Sequence, residues 1–350
     1  MKQQTIDNLR GEIEFRKKLA KQHVTGEIFL PDYYKKEDLD RILLERVTTT
    51  AKRMSVLKEQ GVELSPFIEF GAERCQRSLV LANDFNANGI AVDISFHQLK
   101  TAEHYANLFH RPKIPLRVCC DANRLPFKNS SFNFAFCYEF LHHFPTPKPI
   151  IREISRLLAN GVFFFDEEPF KRPKMVLYKQ KNKVYSESRR KKNIIVQLIE
   201  HFISEVSCEE CEHGIIENDK ISIREWREAL SVFEDKKMHI TCLGRRIQSE
   251  LGKRVKIKNL PILFLGGWIE GVCRKREGEV ADKISDLKDM LTCPDCMIGT
   301  DAKEVIDQPS LIRQANHLIC ELCNSSFPVI DDVFLLLPSG LRKQLYPEFT

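Results

Sequence analysis

The sequence predicts an α/β protein built on a mostly parallel, doubly wound sheet, and three observations carry that prediction. From Phe67 onward, short apolar runs alternate with helix-length segments, the pattern of parallel strands joined by right-handed crossovers. The first two runs end in Glu69-Phe70-Gly71 and in Asp93, residue types suited to ligand binding beyond the carboxyl ends of strands. The last two runs, KMHITCLG and GWIEGVCRK, follow closely on one another and predict an antiparallel hairpin at the sheet edge.

The chain has 350 residues, which suits two domains or one large domain with an appendage. A hydrophobic share of 43% is enough for a full core, and 29% charged residues is too few for a disordered chain. The formal charge of +5 is mild, so its distribution matters more than its sum. MKQQTIDNLRGEIEF has no apolar run of the secretory kind, and Leu260–Val272 is interrupted by Glu270 and too short to span a bilayer. The chain is therefore expected to be cytoplasmic, with its 12 cysteines serving as core residues or metal ligands rather than disulfides. Cys75, Cys137, Cys242 and Cys273 stand alone and read as small buried hydrophobes.

In chain order, residues 1–60 form a helical cap: Ile13, Phe15 and Leu19, then Leu39, Ile42, Leu43 and Val47, recur at helical spacing. Residues 61–276 form the main domain. FIEF, GIAVDI, LRVCCD, NFAFCYEF, GVFFFDEE and the two late runs supply seven strands. Helices are expected around Ser78–Asn86, His97–Phe109, Pro147–Leu158 and in SIREWREALSVF. An insertion, 169–220, interrupts this series and should cover the substrate side. Between 171 and 192 it carries ten lysines and arginines against the single acid Glu187, while Ile194–Val206 reads as an amphipathic helix. Such a run suits a phosphate-bearing or nucleic-acid substrate, or is simply a solvated loop, since only Tyr178 and Tyr185 could stack on bases. Arg274–Asp289 is a charged linker to a cysteine-rich segment, 290–350.

Gly71 lets the backbone approach a ligand where the first strand turns into a helix, and Asp93, about twenty residues on, stands where a carboxylate accepts from ribose hydroxyls. On these features alone an NAD site reads nearly as well. The third strand separates the readings. Asp121, Leu125-Pro126-Phe127, Ser131-Phe132 and the strand Phe134–Tyr138, followed by LHHF and GVFFFDEE, resemble the class I S-adenosylmethionine-dependent methyltransferases over about Pro66–Glu168. The resemblance implies a Rossmann-like, mostly parallel seven-stranded sheet and S-adenosyl-L-methionine as cofactor. It implies that Glu69, Gly71 and Ala72 lie along the methionine and under the nucleoside, and that Asp93 holds the ribose. Asp121 and the backbone of Ala122 would meet the adenine, with Tyr138 and Glu139 at the sulfonium and amino-acid end. The chain departs from the family pattern where Glu73 and Arg74 fill a stretch that normally holds a second glycine, and where Asn133 stands for Asp. A general base is needed only if the acceptor must lose a proton; His142, His143, Glu167, Glu168 and His213 are the candidates, with a pocket-shaping role the alternative for the histidines. The methyl acceptor is not legible.

Cys293-Pro294-Asp295-Cys296 and Cys320-Glu321-Leu322-Cys323 form paired CxxC knuckles suited to a tetrahedral, structural zinc. Phe327-Pro328-Val329, Asp331-Asp332 and Leu336-Leu337-Pro338 after the second knuckle resemble the small zinc-ribbon proteins that activate methyltransferases. That resemblance covers about Leu291–Pro338 and implies a module that packs on the methyltransferase domain of its own chain. Cys208, Cys211 and His213 form a weaker third cluster, and Cys119-Cys120 reads as strand core. The leading expectation is a methyltransferase. The alternatives are a non-catalytic module that uses its zinc ribbon and basic insertion to hold a partner, and an NAD-dependent oxidoreductase.

Overall fold

The computed structural model describes residues 3–30, 36–170, 177–181, 203–207, 210, 213–218, 221–242, 245–249, 267–276, 286–297 and 309–349. Two long helices come first, α1 (Gln3–Thr25) and α2 (Lys36–Glu59). On α2 the buried residues Leu39, Leu43, Val47, Thr50, Met54 and Leu57 recur three or four apart, so one stripe is apolar and the helix lies flat against the domain. Then strands and helices alternate: β1 (Phe67–Phe70), α3 (Gln76–Asp84), β2 (Gly89–Asp93), α4 (Phe96–Lys100), α5 (Ala102–Leu108), β3 (Leu116–Cys119), β4 (Phe132–Tyr138), α6 (Lys148–Leu157) and β5 (Leu158–Phe170). Further along come the two-strand pair β6 (Tyr178–Lys181) and β7 (Ser204–Ser207), then α7 (Ile223–Ala229), β8 (Asp235–Cys242), β9 (Arg245–Ser249) and β10 (Gly267–Arg274). A capping box between Ser222 and Glu225 starts α7 by satisfying its first backbone donors.

The seven expected strands are present in the order β3-β2-β1-β4-β5-β10-β8, the first five parallel. β10 runs antiparallel to both β5 and β8. The sheet extends past both ends of this set. β9 adds beyond β8, and the cysteine segment adds β11 (Leu311–Gln314), β12 (His317–Cys320), β13 (Ser326–Ile330) and β14 (Val333–Leu335) beyond β3. β14 pairs with β3 in parallel, Phe334 opposite Val118 and Leu335 opposite Cys119. The packing implied for the ribbon is thus a continuation of the main sheet. The chain ends in α8 (Ser339–Leu345).

Side chains alternate between the two faces of the sheet. Ile68, Ile90, Val92 and Cys137 join one core cluster with Ile150, Ile154 and Trp226 of α6 and α7. Ala91 packs on the other face with Leu79, Tyr105 and Leu341 of α3, α5 and α8. Both faces are therefore covered, and ligand access is confined to the strand ends. No helix among the described residues is long and apolar enough to cross a membrane.

Candidate functional site

A cavity of about 520 Å³ opens at the carboxyl ends of β1, β2, β3 and β4. Its floor begins at Gly71, whose φ of +63° suits glycine. A Cβ there would come within 2.7 Å of the Phe140 ring. Glu73 and Cys75 continue the loop at φ 47° and 62°, so the turn takes left-handed conformations even where glycine is missing, at a cost of roughly 1–2 kcal/mol each. Glu73 offsets that cost by gathering arginines from two helices and its own loop: Arg16 of α1 at 3.5 Å, Arg46 of α2 at 3.6 Å and the neighbouring Arg74 at 3.4 Å. Burial opposes its charge, but Arg74, Arg46 and Arg16 outweigh it and hold the carboxyl well below the usual range.

Asp93 and Asp121 close the neighbouring strands β2 and β3, and both line this cavity. Asp93 Oδ2 accepts from the Glu73 amide at 2.9 Å and Oδ1 from the Ser95 amide at 2.7 Å. Burial pushes its pKa up to about 6. Asp121 Oδ1 accepts from the backbone and side-chain nitrogens of Asn123, at 2.9 and 2.8 Å, and burial raises its pKa as well. Each Asp93 oxygen has two lone pairs and spends one on these amides, so the carboxylate is held in place while keeping acceptor capacity.

Six of the eight residues assigned to the cofactor line the cavity: Gly71, Asp93, Asp121, Ala122, Tyr138 and Glu139. Glu69 and Ala72 do not. Glu69 is buried under the loop, where its carboxylate accepts from the Ser78 amide at 2.9 Å and from the Ser78 hydroxyl, and burial pushes its pKa up to about 8. It ties β1 to the start of α3. Arg77 lies 4.1 Å over the Tyr138 ring and 3.4 Å from Glu167, fixing the tyrosine in the wall. Glu139 is paired with Arg46 at 2.7 Å.

Sequence reasoning expected the cap but not the residues by which it reaches the cavity. Thr5, Asn8, Glu12 and Arg16 of α1 and Arg46 of α2 line the same cavity. Their signal was the polar stripe at three- and four-residue spacing on α1, beside the apolar one. Gly11 lets this helix meet the segment 213–218: a Cβ there would stand 1.9 Å from the His213 carbonyl oxygen. Gly214 and Ile216 of that segment complete the wall.

Of the base candidates, only His143 lines the cavity. Glu168 is fully buried and accepts from the amides of Phe140, Leu141 and His142 at 2.8, 2.9 and 3.2 Å, which caps the 3-10 turn Leu141–His143. His142 lies between Glu168 at 2.8 Å and Glu217 at 3.5 Å. Burial opposes charge on His142, but these carboxylates outweigh it and push its pKa up to about 10. Glu167 is salt-bridged to Arg77, and the ring of His213 packs on Phe15 at 4.9 Å.

Cys293, Cys296, Cys320 and Cys323 come together, with sulfur pairs at 3.6 and 3.7 Å. Cys75, Cys119, Cys120, Cys137 and Cys273 are buried and free. Cys208, Cys211, the basic positions 171–176 and 182–192 and most of the helix expected at 194–206 lie outside the described residues, and the end of that expected helix, Ser204–Val206, belongs instead to strand β7, paired with β6.

Residues 68–165 match the family model of a methyltransferase domain. No curated protein matches the chain in sequence. Among solved structures, a methyltransferase from Thermotoga maritima is 12% identical, with a TM-score of 0.39 over 68% of this chain and 93% of that one. A complex between a methyltransferase activator and a methyltransferase from Haloferax volcanii matches at 16% identity and TM-score 0.39, over 69% of this chain and 94% of that one. A Bacillus halodurans methyltransferase matches at 12% identity and TM-score 0.38, over 63% and 97%.

Proposed function

Residues 68–165 form a class I S-adenosylmethionine-dependent methyltransferase domain, and from that premise we propose how this chain holds its cofactor. Asp93 accepts from the ribose hydroxyls, Asp121 and the Ala122 backbone meet the adenine edge, Gly71 runs along the methionine, and Tyr138 and Glu139 stand at the sulfonium end. One observation carries this reading: two carboxylates closing adjacent parallel strands open on a single cavity, each already steadied by donors of its own loop. When bound, the cofactor supplies a methyl group already activated on sulfur. The chain's own work is then alignment and exclusion of water. Arg46 and Arg16, anchored on Glu73, hold the cap over the mouth for that purpose. Glu69 acts beneath the loop by fixing its geometry.

We propose further that the four cysteines hold a structural zinc. Four sulfurs at about 2.3 Å from a tetrahedral ion stand ~3.8 Å apart, close to the pairs at 3.6 and 3.7 Å. By domain, the reading is a cap over residues 1–60, a methyltransferase domain over 61–276 and a ribbon over 290–350. The free buried thiols support a reducing compartment such as the cytoplasm. The cationic run 171–192 supports a phosphate-bearing or nucleic-acid acceptor.

Calorimetry with S-adenosylmethionine tests the cofactor site. Saturable binding is expected, with Asp93→Asn weakening it by roughly 10–100-fold, the scale of a charge-assisted hydrogen bond worth ~1.5–3 kcal/mol. Equal affinity in the variant and the parent chain would remove the ribose assignment.

A further inference from the structure

We propose that His142, His143 and Glu217 form a binding site for a divalent metal ion of the zinc class, in the wall of the cavity and separate from the four-cysteine cluster. The proposal stands on side-chain geometry and does not depend on the cofactor reading above.

The donor atoms of these three residues lie within 4.8 Å of one another. Glu217 reaches both imidazoles: one oxygen is 3.5 Å from His142 Nε2 and the other 3.2 Å from His143 Nδ1. The backbone oxygen of Ile216 lies 2.9 Å from the same His143 nitrogen. Ligands bonded at about 2.0–2.2 Å to a tetrahedral or octahedral ion stand ~3.0–3.4 Å apart, so a cation fits among these atoms with small shifts. Two imidazoles and a carboxylate form a donor set for borderline ions such as Zn²⁺ or Co²⁺ rather than for Mg²⁺ or Ca²⁺.

The surroundings are those of a built site. Glu168 accepts three backbone amides, so it faces His142 as an acceptor, and the imidazole nitrogen turned toward it, Nδ1 at 2.8 Å, carries the hydrogen. That keeps the Nδ1 hydrogen on Glu168 and turns Nε2 toward Glu217, where a bound ion would take the place of the second imidazole hydrogen, the arrangement by which an outer carboxylate orients a metal-binding histidine. Glu217 is equally fixed. Its neighbour Asn218 donates its amide to the His142 carbonyl at 2.9 Å and its side-chain nitrogen to the Pro145 carbonyl at 3.0 Å. An ion here would fasten the segment 213–218 to the turn at 141–143. Both His143 and Ile216 line the cavity, so its remaining positions would face a bound small molecule.

The full-length chain, stripped by chelator and reloaded with zinc, tests this by metal counting. The parent chain is expected to take up one metal equivalent more than the four-cysteine cluster accounts for. Glu217→Gln, an isosteric change at a side chain 25% exposed, should lose that equivalent, and His143→Gln should lose it too. Glu168→Gln should weaken its affinity by about 10–100-fold, the usual effect of removing an outer-shell partner. Cobalt bound at this site should add visible absorption without a thiolate charge-transfer band. Identical metal content in the parent and Glu217→Gln chains, both folded by circular dichroism, would overturn the proposal. So would a cobalt spectrum of thiolate character alone. Cofactor calorimetry on the same samples reports separately on the adenosyl site.

Discussion

Asp93 carries the most chemistry of any single residue, because its ionisation lies near neutrality. Burial disfavours the charged form and raises its pKa to about 6. In the proposed site the ribose hydroxyls donate to this carboxylate, so the binding form is the ionised one. Affinity for S-adenosylmethionine should therefore be full above pH ~7 and fall as the pH drops through 6, by up to about tenfold per unit once protonation dominates. Calorimetry between pH 5 and 8 checks this, and Asp93→Asn should show a flat profile over the same window. A parent profile that is equally flat would mean that this carboxyl does not titrate against the ligand. The place of Asp93 on the cavity wall was readable from its distance after Gly71. That Glu73 and Cys75 would hold glycine-like backbone was not, because a left-handed residue is held by the neighbours it contacts, and two of the arginines on Glu73, Arg16 and Arg46, lie far from it in sequence.

At the scale of elements, the two N-terminal helices close the site. α1 approaches the segment 213–218 so closely at Gly11 that an added methyl group would meet the His213 carbonyl oxygen, a backbone atom that cannot swing aside. Gly11→Ala is expected to push the helix and the segment apart, at a cost of about 1–3 kcal/mol for overpacking. Thermal unfolding should show a lower midpoint, and cofactor dissociation should be faster because Asn8, Glu12 and Ile216 all sit on the wall being opened. An unchanged midpoint together with an unchanged off-rate would show that the contact is slack. The helical periodicity of α1 was legible in Ile13, Phe15 and Leu19. That it caps the following domain was expected; that it meets the segment 213–218 was not, since the apolar stripe says only that some surface is covered.

The cysteine segment and the central strands share one twelve-stranded sheet, and in the proposed reading this ties the cysteine cluster to the cofactor site. The seven central strands could be read from their own alternation. The extension could not, because β14 meets β3 across more than two hundred residues of chain, and no local pattern encodes that pairing. The coupling runs through named bonds. Asp295, inside the first knuckle, accepts from the Ser339 amide at 2.7 Å and so starts α8. Just past α8, the buried Tyr346 donates its hydroxyl to the Ile94 carbonyl at 2.7 Å and accepts from the Phe96 amide at 3.0 Å. These two peptides flank Ser95, whose amide holds Asp93. Tyr346→Phe takes the partner from the buried Phe96 amide and leaves the Ile94 carbonyl with the weaker Cys119 thiol at 3.2 Å, at a cost of about 1–3 kcal/mol. It should also weaken S-adenosylmethionine binding by up to about tenfold, equivalent to ~1.4 kcal/mol. Cys320→Ser, which removes one sulfur of the proposed zinc site, should lower the unfolding midpoint and the cofactor affinity together. Were the cysteine variant to lose its metal yet bind cofactor as tightly as the parent, the ribbon would be a passenger on the sheet edge. A joint loss in both variants would make it a brace for the aspartate that grips the ribose.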